Sequence, residues 1–232
     1  MDATVPLREI ALDNSRRAAP QVYEWLRDRI ITLDYAPGTT LSRTDLVKRF
    51  GLSQTPIRDA LMRLSGEGLV DIFPQSTTRV SPIDLRQAIQ THFMRRSLEI
   101  EIVRQLALAA DKPFVQRLNA IVADQRAQYD GADLVAFEAS DRAFHRVLYE
   151  SAAVPDLWTL IRDRSGHIDR LRRLDLPSPG KIEQILASHA AIVKGIAASD
   201  PAAAQESLRV HLSGTLSHID EISAAHPSYV RE

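Results

Sequence analysis

The 232-residue chain contains no cysteine. That excludes disulfides, thiol catalysis and cysteine zinc sites, and it suits a reducing compartment. No apolar run reaches the ~18 residues that a membrane-spanning helix requires. The opening stretch MDATVPLREIALDNSRRAAP holds no hydrophobic signal core. A cytoplasmic protein with no membrane partner is therefore expected. An excess of charge of one sign is lacking too: 29 Lys+Arg face 30 Asp+Glu, for a formal net charge of -1. Splitting the chain near Val80 leaves both parts close to balance. Nucleic-acid binding, if present, must rest on a local patch rather than on bulk charge. Low-complexity tracts and internal repeats are also missing.

What remains is the profile of a folded protein, 44% hydrophobic and 25% charged. The length suits one large domain or two modest ones. Residues 1–19 have weak periodicity and read as an arm. Helical spacing starts near Pro20, where Val22, Leu26 and Ile30 recur every four residues, with Trp25 and Leu33 extending the stripe. Pro37-Gly38 in DYAPGT stops that helix. A short second helix follows, with Ser42 and Asp45 at capping-box spacing, Leu46 and Phe50 pointing inward, and Gly51 at its end.

The third helix is the informative one. Ser53 or Thr55 caps it, and Pro56 is tolerated in its first turn. Ile57, Ala60, Leu61 and Leu64 share one face, while Gln54, Arg58 and Met62 recur on another. Gly66 and Gly68 end it. LVDIF and TTRVS, separated by PQS, read as a β-hairpin. Three helices and a hairpin form a winged helix-turn-helix over residues 20–81. Its third helix buries one face and leaves the other free for a major groove. Arg offers two hydrogen bonds to guanine and Gln does the same for adenine, so Gln54, Thr55 and Arg58 are candidate base readers. Arg79 in the hairpin is placed for the backbone or the minor groove.

From Ser81 onward no convincing strand is expected. Helices are predicted at about 82–110, 113–129, 132–152, 156–175, 180–198 and 201–222, interrupted by DKP, DGAD, AVPD, PSPG and SDP. The fold class is thus mainly α. The winged helix-turn-helix precedes an all-α bundle of about six helices over residues 82–224, with a tail at 225–232. In the segment ASDRAFHRVL, Asp141 and His145 are four residues apart and share a helix face. His189 lies on the next-to-last helix and His211 on the last. Convergence of these helices would assemble a carboxylate and imidazoles, a donor set for zinc or another borderline divalent ion. Taken alone, Asp-x-x-x-His is more often a surface ion pair and His189 a hydrogen-bonded core residue. Spacing also leaves His211 and His218 as equal candidates, because seven residues make two turns.

The N-terminal part resembles the DNA-binding domain of the GntR family of bacterial transcription regulators. The resemblance runs over VYEWLRDRIITLDYAPGTTLSRTDLVKRFGLSQTPIRDALMRLSGEGLV and is carried by Pro37, Gly38 and Leu41, by Ser53 to Leu61, and by Gly68 to Val70. It implies DNA contacts from Arg43, Thr44, Gln54, Thr55 and Arg58, with the wing around Thr77 entering the minor groove. Arg43 replaces a usually acidic residue and adds a phosphate or base contact. The wing glycine is replaced too, with Thr77 or Thr78 at the tip. The later part, about 84–222, is similar to the FCD domain of the FadR subfamily through MRRSLE, SDRAFHRVLYESA, HAAIVKGIAASDPAAAQ and VHL. That resemblance implies a divalent metal held by Asp141, His145, His189 and His211, zinc in the first place, with nickel or manganese as alternatives. It further implies a small carboxylate effector paired with Arg95, an expectation in keeping with the planar Arg fork. Val154 stands near a position where the family often has Asn, which points to altered effector polarity.

The reading that follows is a non-enzymatic, homodimeric transcription regulator, in the first place a repressor. It binds a near-palindromic double-stranded DNA operator under control of an organic acid held at the metal. Two rivals stand beside it. In one, the metal itself is the signal or a structural support. In the other, the site is a metal-dependent hydrolase or lyase, although no general base stands out beside the cluster.

Overall fold

The computed structural model describes residues 10–73 and 77–232. It divides into two compact units, one formed by the chain up to Leu85 together with Ala225–Glu232, the other by Arg86–Ala224.

In the first unit, α1 (Ala18–Ile31), α2 (Arg43–Phe50) and α3 (Gln54–Gly66) enclose a core of Val22, Leu26, Ile30, Leu46, Phe50, Ile57, Leu61 and Leu64. The cap of α2 forms as expected: Ser42 Oγ accepts the Asp45 N–H at 3.2 Å, and Gly51 takes the left-handed conformation at φ 62. Ser53 occupies the N-cap position of α3, although its side chain caps nothing there. Three contacts fasten α3 to α1. Glu67, just past the end of α3, accepts from Arg27 Nε at 3.0 Å and from the Tyr23 hydroxyl, and the Arg63 guanidinium lies 3.8 Å over the Tyr23 ring. Burial, followed by the Glu67 contact, pushes the Tyr23 phenol well above its ordinary range. Trp25 meets Phe50 edge-on at 5.5 Å and carries Arg49 on its face at 4.8 Å, tying α1 to α2. Ile10 and Leu12 also pack on this core, and the Ile10 N–H bonds Arg49 O at 3.2 Å.

The expected hairpin forms from β2 (Val70–Ile72) and β3 (Thr78–Val80), with Val70 opposite Val80. The sheet gains a third strand, β1 (Thr40–Leu41), antiparallel to β3. Two residues are too few for an alternating pattern, so this strand left no periodic signal. Thr78 lies within β3 and is buried, while Thr77 is half-buried beside it. Thr78 is therefore not at a tip, as the sequence allowed; residues 74–76, the PQS expected between the strands, lie outside the described residues, as do residues 1–9 of the expected arm.

The expectation of no strand after Ser81 needs correction. β4 (Ile83–Asp84) pairs in parallel with β5 (Val230–Arg231), and an Arg231–Asp84 ion pair at 3.4 Å accompanies it. A two-residue bridge between distant segments is again invisible to periodicity.

The second unit is helical: α4 (Leu85–Leu108), α5 (Lys112–Asp130), α6 (Leu134–Ser151), α7 (Pro155–Arg164), α8 (Gly166–Asp175), α9 (Lys181–Ala197), α10 (Pro201–Ser213) and α11 (Ile219–Ala225). Its main core joins α4, α5, α6, α7, α9 and α10 through Val103, Leu118, Phe144, Leu148, Ile161, Ile192, Ile196 and Leu208. Asp111, Asp133 and Asp200 cap α5, α6 and α10 by accepting the N–H groups of Phe114, Ala136 and Ala203. Two predicted helices are each interrupted. The 156–175 helix breaks at Ser165-Gly166, where the Ser165 hydroxyl turns back to Arg162 O at 3.1 Å. The 201–222 helix stops at Ser213, before Gly214, and resumes through a 3-10 turn at Leu216–His218.

Candidate metal centre and DNA-reading face

α4, α6, α9 and α10 meet around a polar cluster inside the second unit. The spacing on α6 puts Asp141 and His145 one turn apart, both buried. α9 supplies His189, whose ring stacks on Phe144 with centroids 4.0 Å apart. α10 supplies His211. The donor atoms of Asp141, His145, His189 and His211 lie within 4.8 Å of one another. His145 Nε2 and His211 Nε2 are 3.1 Å apart, His189 Nε2 and His211 Nε2 are 3.2 Å apart, and Asp141 Oδ1 is 3.7 Å from His189 Nε2. The ambiguity between His211 and His218 is resolved: His218 turns away to Asp175 Oδ1 at 3.2 Å, and Asp175 also pairs with Lys181.

The outer nitrogens identify the protons. His145 Nδ1 faces the Glu99 carboxylate at 2.8 Å. His189 Nδ1 faces Gln125 Oε1 at 2.9 Å. His211 Nδ1 faces Ser188 Oγ at 2.9 Å, and that hydroxyl spends its own hydrogen on Ile185 O at 2.8 Å. Each Nδ1 is therefore the donor, and each Nε2 turns a lone pair toward the other two. Asp141 Oδ1 joins them as a buried oxygen with no hydrogen-bond partner among the described residues. Four acceptors converge with no donor between them, an arrangement that a cation relieves. Nitrogens that share an ion at ~2.0–2.1 Å stand about 3.0–3.4 Å apart, so the two imidazole separations fit a bound divalent ion. The residues present therefore fit a metal, and their Nδ1 partners form the outer shell that fixes such ligands.

The electrostatics agree. Burial raises the Asp141 carboxyl, but Arg172, which pairs with its Oδ2, and the neighbouring imidazoles outweigh that and hold it far below the usual range. Burial pulls the His189 imidazole down to about 3, against the opposing charge of Asp141. It also drives His211 well below its ordinary value, reinforced by His189 and His145. Both rings are thus held neutral, the form that ligates metal.

Arg95 lies on the buried face of α4, where its Nε donates to Glu99 Oε1 at 2.9 Å. Sequence reasoning missed Glu99, Gln125, Ser188 and Arg172. A signal for the first existed: Arg95 and Glu99 are four residues apart on the same α4 face as Val103 and Leu106, two charges in a stripe that is otherwise uncharged.

In the first unit, Arg43, Thr44, Gln54, Thr55, Arg58 and Arg79 are all exposed. Gln54, Thr55 and Arg58 occupy the first turns of α3, opposite the buried Ile57 and Leu61. The Arg58 side chain is 65% exposed, and its ion pair with Asp59 is 3.5 Å long. A cleft of about 320 Å³ runs between the start of α2 and the hairpin, lined by Thr40, Ser42, Arg43, Thr44, Phe73 and Thr77.

Two family profiles cover the chain: the bacterial regulatory proteins of the gntR family at residues 18–80, and the FCD domain at residues 79–214. The chain belongs to the GntR family. A GntR regulator of this type joins a DNA-binding helix-turn-helix to an FCD effector-binding domain and is a transcription regulator rather than an enzyme. An uncharacterized HTH-type transcriptional regulator in unstable DNA locus, from Streptomyces ambofaciens, is 31% identical over 94% of this chain and 92% of its own length. The HTH-type transcriptional repressor RspR of Escherichia coli K12 is 26% identical over 97% of this chain and 98% of its own. Among solved structures, E. coli McbR/YncC matches with a TM-score of 0.76 at 17% identity, covering 89% of this chain and 98% of that one. A GntR regulator from Rhodococcus sp. RHA1 matches at 0.73 and 20%, covering 88% and 97%. These two structures support the fold. No described helix is long and apolar enough to cross a membrane.

Proposed function

We propose that this GntR regulator is a cytoplasmic homodimer and a repressor. Its grip on a near-palindromic operator is set by a small organic acid bound beside a divalent metal in the FCD domain. The observation that carries this reading is the convergence of three imidazole lone pairs and an orphaned carboxylate oxygen at Asp141, His145, His189 and His211. Three nitrogens and one oxygen suit zinc, with nickel or manganese as alternatives. When bound, the ion supplies a positive centre for a carboxylate. The named side chains hold it, and Glu99, Gln125 and Ser188 keep their rings aimed inward.

On the DNA side, Gln54, Thr55 and Arg58 read base edges in the major groove, while Arg43, Thr44, Thr77 and Arg79 meet backbone or minor groove. Two-fold symmetry of the protein imposes two-fold symmetry on the operator. An effector changes operator affinity only if it favours one of two spacings of the paired reading heads.

One observation favours a second reading, in which the metal itself is the signal. Arg95, expected to meet the effector, is buried and already paired with Glu99. A single titration separates the two readings. Fluorescence anisotropy on the DNA upstream of the protein's own gene is followed with chelator, with Zn2+, and with Zn2+ plus a panel of small mono- and dicarboxylic acids. An affinity change that needs both ion and acid supports the first reading; a full switch on Zn2+ alone supports the second. Unchanged operator binding throughout defeats both.

A further inference from the structure

Glu99 carries more than one duty. It is fully buried on α4. Its Oε2 accepts from His145 Nδ1 at 2.8 Å, while its Oε1 accepts from Arg95 Nε at 2.9 Å and from the Tyr149 hydroxyl at 3.3 Å. A single carboxylate is thus divided between an imidazole of the metal cluster and a buried guanidinium. We infer that Glu99 couples the two, so that Arg95 governs how tightly the site holds its metal by drawing on the charge that Glu99 lends to His145.

The physics is direct. A carboxylate behind a ligating imidazole raises the basicity of that ring, and removing such a partner costs ~10–100-fold in metal affinity. Arg95 competes for the same charge through a hydrogen bond and an ion pair in a buried setting, where such interactions are strong. Anything that engages the guanidinium, an anion included, loosens its hold on Glu99 and leaves more of that charge to His145. Linkage makes the effect reciprocal: a bound ion that draws on His145 weakens the Glu99–Arg95 pair and readies Arg95 for an anion by the same factor. This inference rests on the metal reading proposed above and assigns Glu99 as a positioning residue, since it acts through His145.

The test is a double-mutant cycle on Zn2+ affinity, measured on the full chain by competition with a chromophoric chelator. Circular dichroism confirms folding of each variant. E99Q keeps the size and one acceptor but removes the charge, and the expected loss is about 10–100-fold. R95Q in the parent background is expected to tighten Zn2+ several-fold. In the E99Q background the same change is expected to do nothing, because the route through Glu99 is gone. If R95Q fails to fold, R95M serves, since its flexible apolar side chain packs in the same buried space while the charge is removed. Visible absorption of the Co2+ form is expected to keep its band positions in E99Q, reporting an unchanged set of four ligands. Equal Zn2+ affinity of E99Q and parent overturns the inference. So does an Arg95 effect of the same size in both backgrounds, which marks plain repulsion between Arg95 and the ion. So does a Co2+ spectrum that loses a nitrogen ligand in E99Q, which marks a collapse of the site. A parent protein that binds no Zn2+ overturns the metal reading itself, a result distinct from these three.

Discussion

Gly195 on α9 lies so close to Ala204 on α10 that a methyl group at residue 195 would stand 2.6 Å from the Ala204 nitrogen and 2.8 Å from its Cα. This close approach is what allows the α9–α10 hairpin to bring His189 and His211 to 3.2 Å. The turn between them is tight: Ser199 adopts φ 51, and the Asp200 N–H bonds Gly195 O at 2.9 Å.

G195A is accordingly expected to force the two helices apart. Overpacking of this kind costs ~1–3 kcal/mol, readable as a lowered urea midpoint. Because the wedge also moves His211 from His189, Zn2+ affinity should fall in the same variant. A G195A protein with parental stability and parental metal affinity would show that the hairpin adapts freely.

The metal-free protein is expected to lose stability as pH falls from 6.5 toward 3. His189 stays neutral in the fold down to about 3, whereas the unfolded chain takes up that proton near 6.5. Over this window the unfolded state binds more protons, so acid favours it; above 6.5 the contribution is intact. His211 acts in the same direction. The depressed carboxyls of Glu99 and Asp141 add a further loss at lower pH, below the ordinary carboxylate range of about 4. Urea midpoints of chelator-treated protein between pH 7 and 4.5 check this, and H189Q should flatten the profile. A decline of the same steepness in H189Q would assign the effect elsewhere.

Much of this architecture was legible because it is periodic or capped. The stripe of Ile57, Ala60, Leu61 and Leu64 announced α3 and, by exclusion, the exposed Gln54 and Arg58. Ser42 and Gly51 marked both ends of α2. The family resemblance picked out four candidate ligands that spacing alone left ambiguous, and the structure brings those four side chains together. What stayed hidden has neither period nor neighbour in sequence. β1, β4 and β5 are two residues each. Gln125 and Ser188 are single polar residues whose roles exist only once α5 and α9 face the cluster. Arg95 was expected to meet an effector, and only the fold reveals that Glu99 already holds it.

Arg58→Ala is expected to weaken operator binding by ~1–3 kcal/mol and to relax specificity at one base position. Its exposed guanidinium is tied only to the neighbouring Asp59 among its ion pairs described, so its removal disturbs little of the fold. Anisotropy titrations on operator and scrambled duplexes at one salt concentration make the comparison. A loss equal on both duplexes would reassign Arg58 to a phosphate.

His211→Ala and His218→Ala are expected to part company, although the two residues lie two turns apart in sequence. His211 contributes the Nε2 that stands 3.1 and 3.2 Å from its two partners, and Ser188 holds its outer nitrogen. If the cluster holds zinc as proposed, removing it leaves three donors, and a metal content of one per chain at micromolar protein should fall toward none on dialysis against a weak chelator. His218 instead completes the buried Asp175–Lys181 pair, so its loss should leave the metal content at one. It should cost stability of ~1 kcal/mol through the weakened partner of Asp175. Elemental analysis of the dialysed proteins reads the first effect and urea unfolding the second. Zinc lost from His218→Ala but retained by His211→Ala would mean that α10 and the turn after it sit in a different register around the ion.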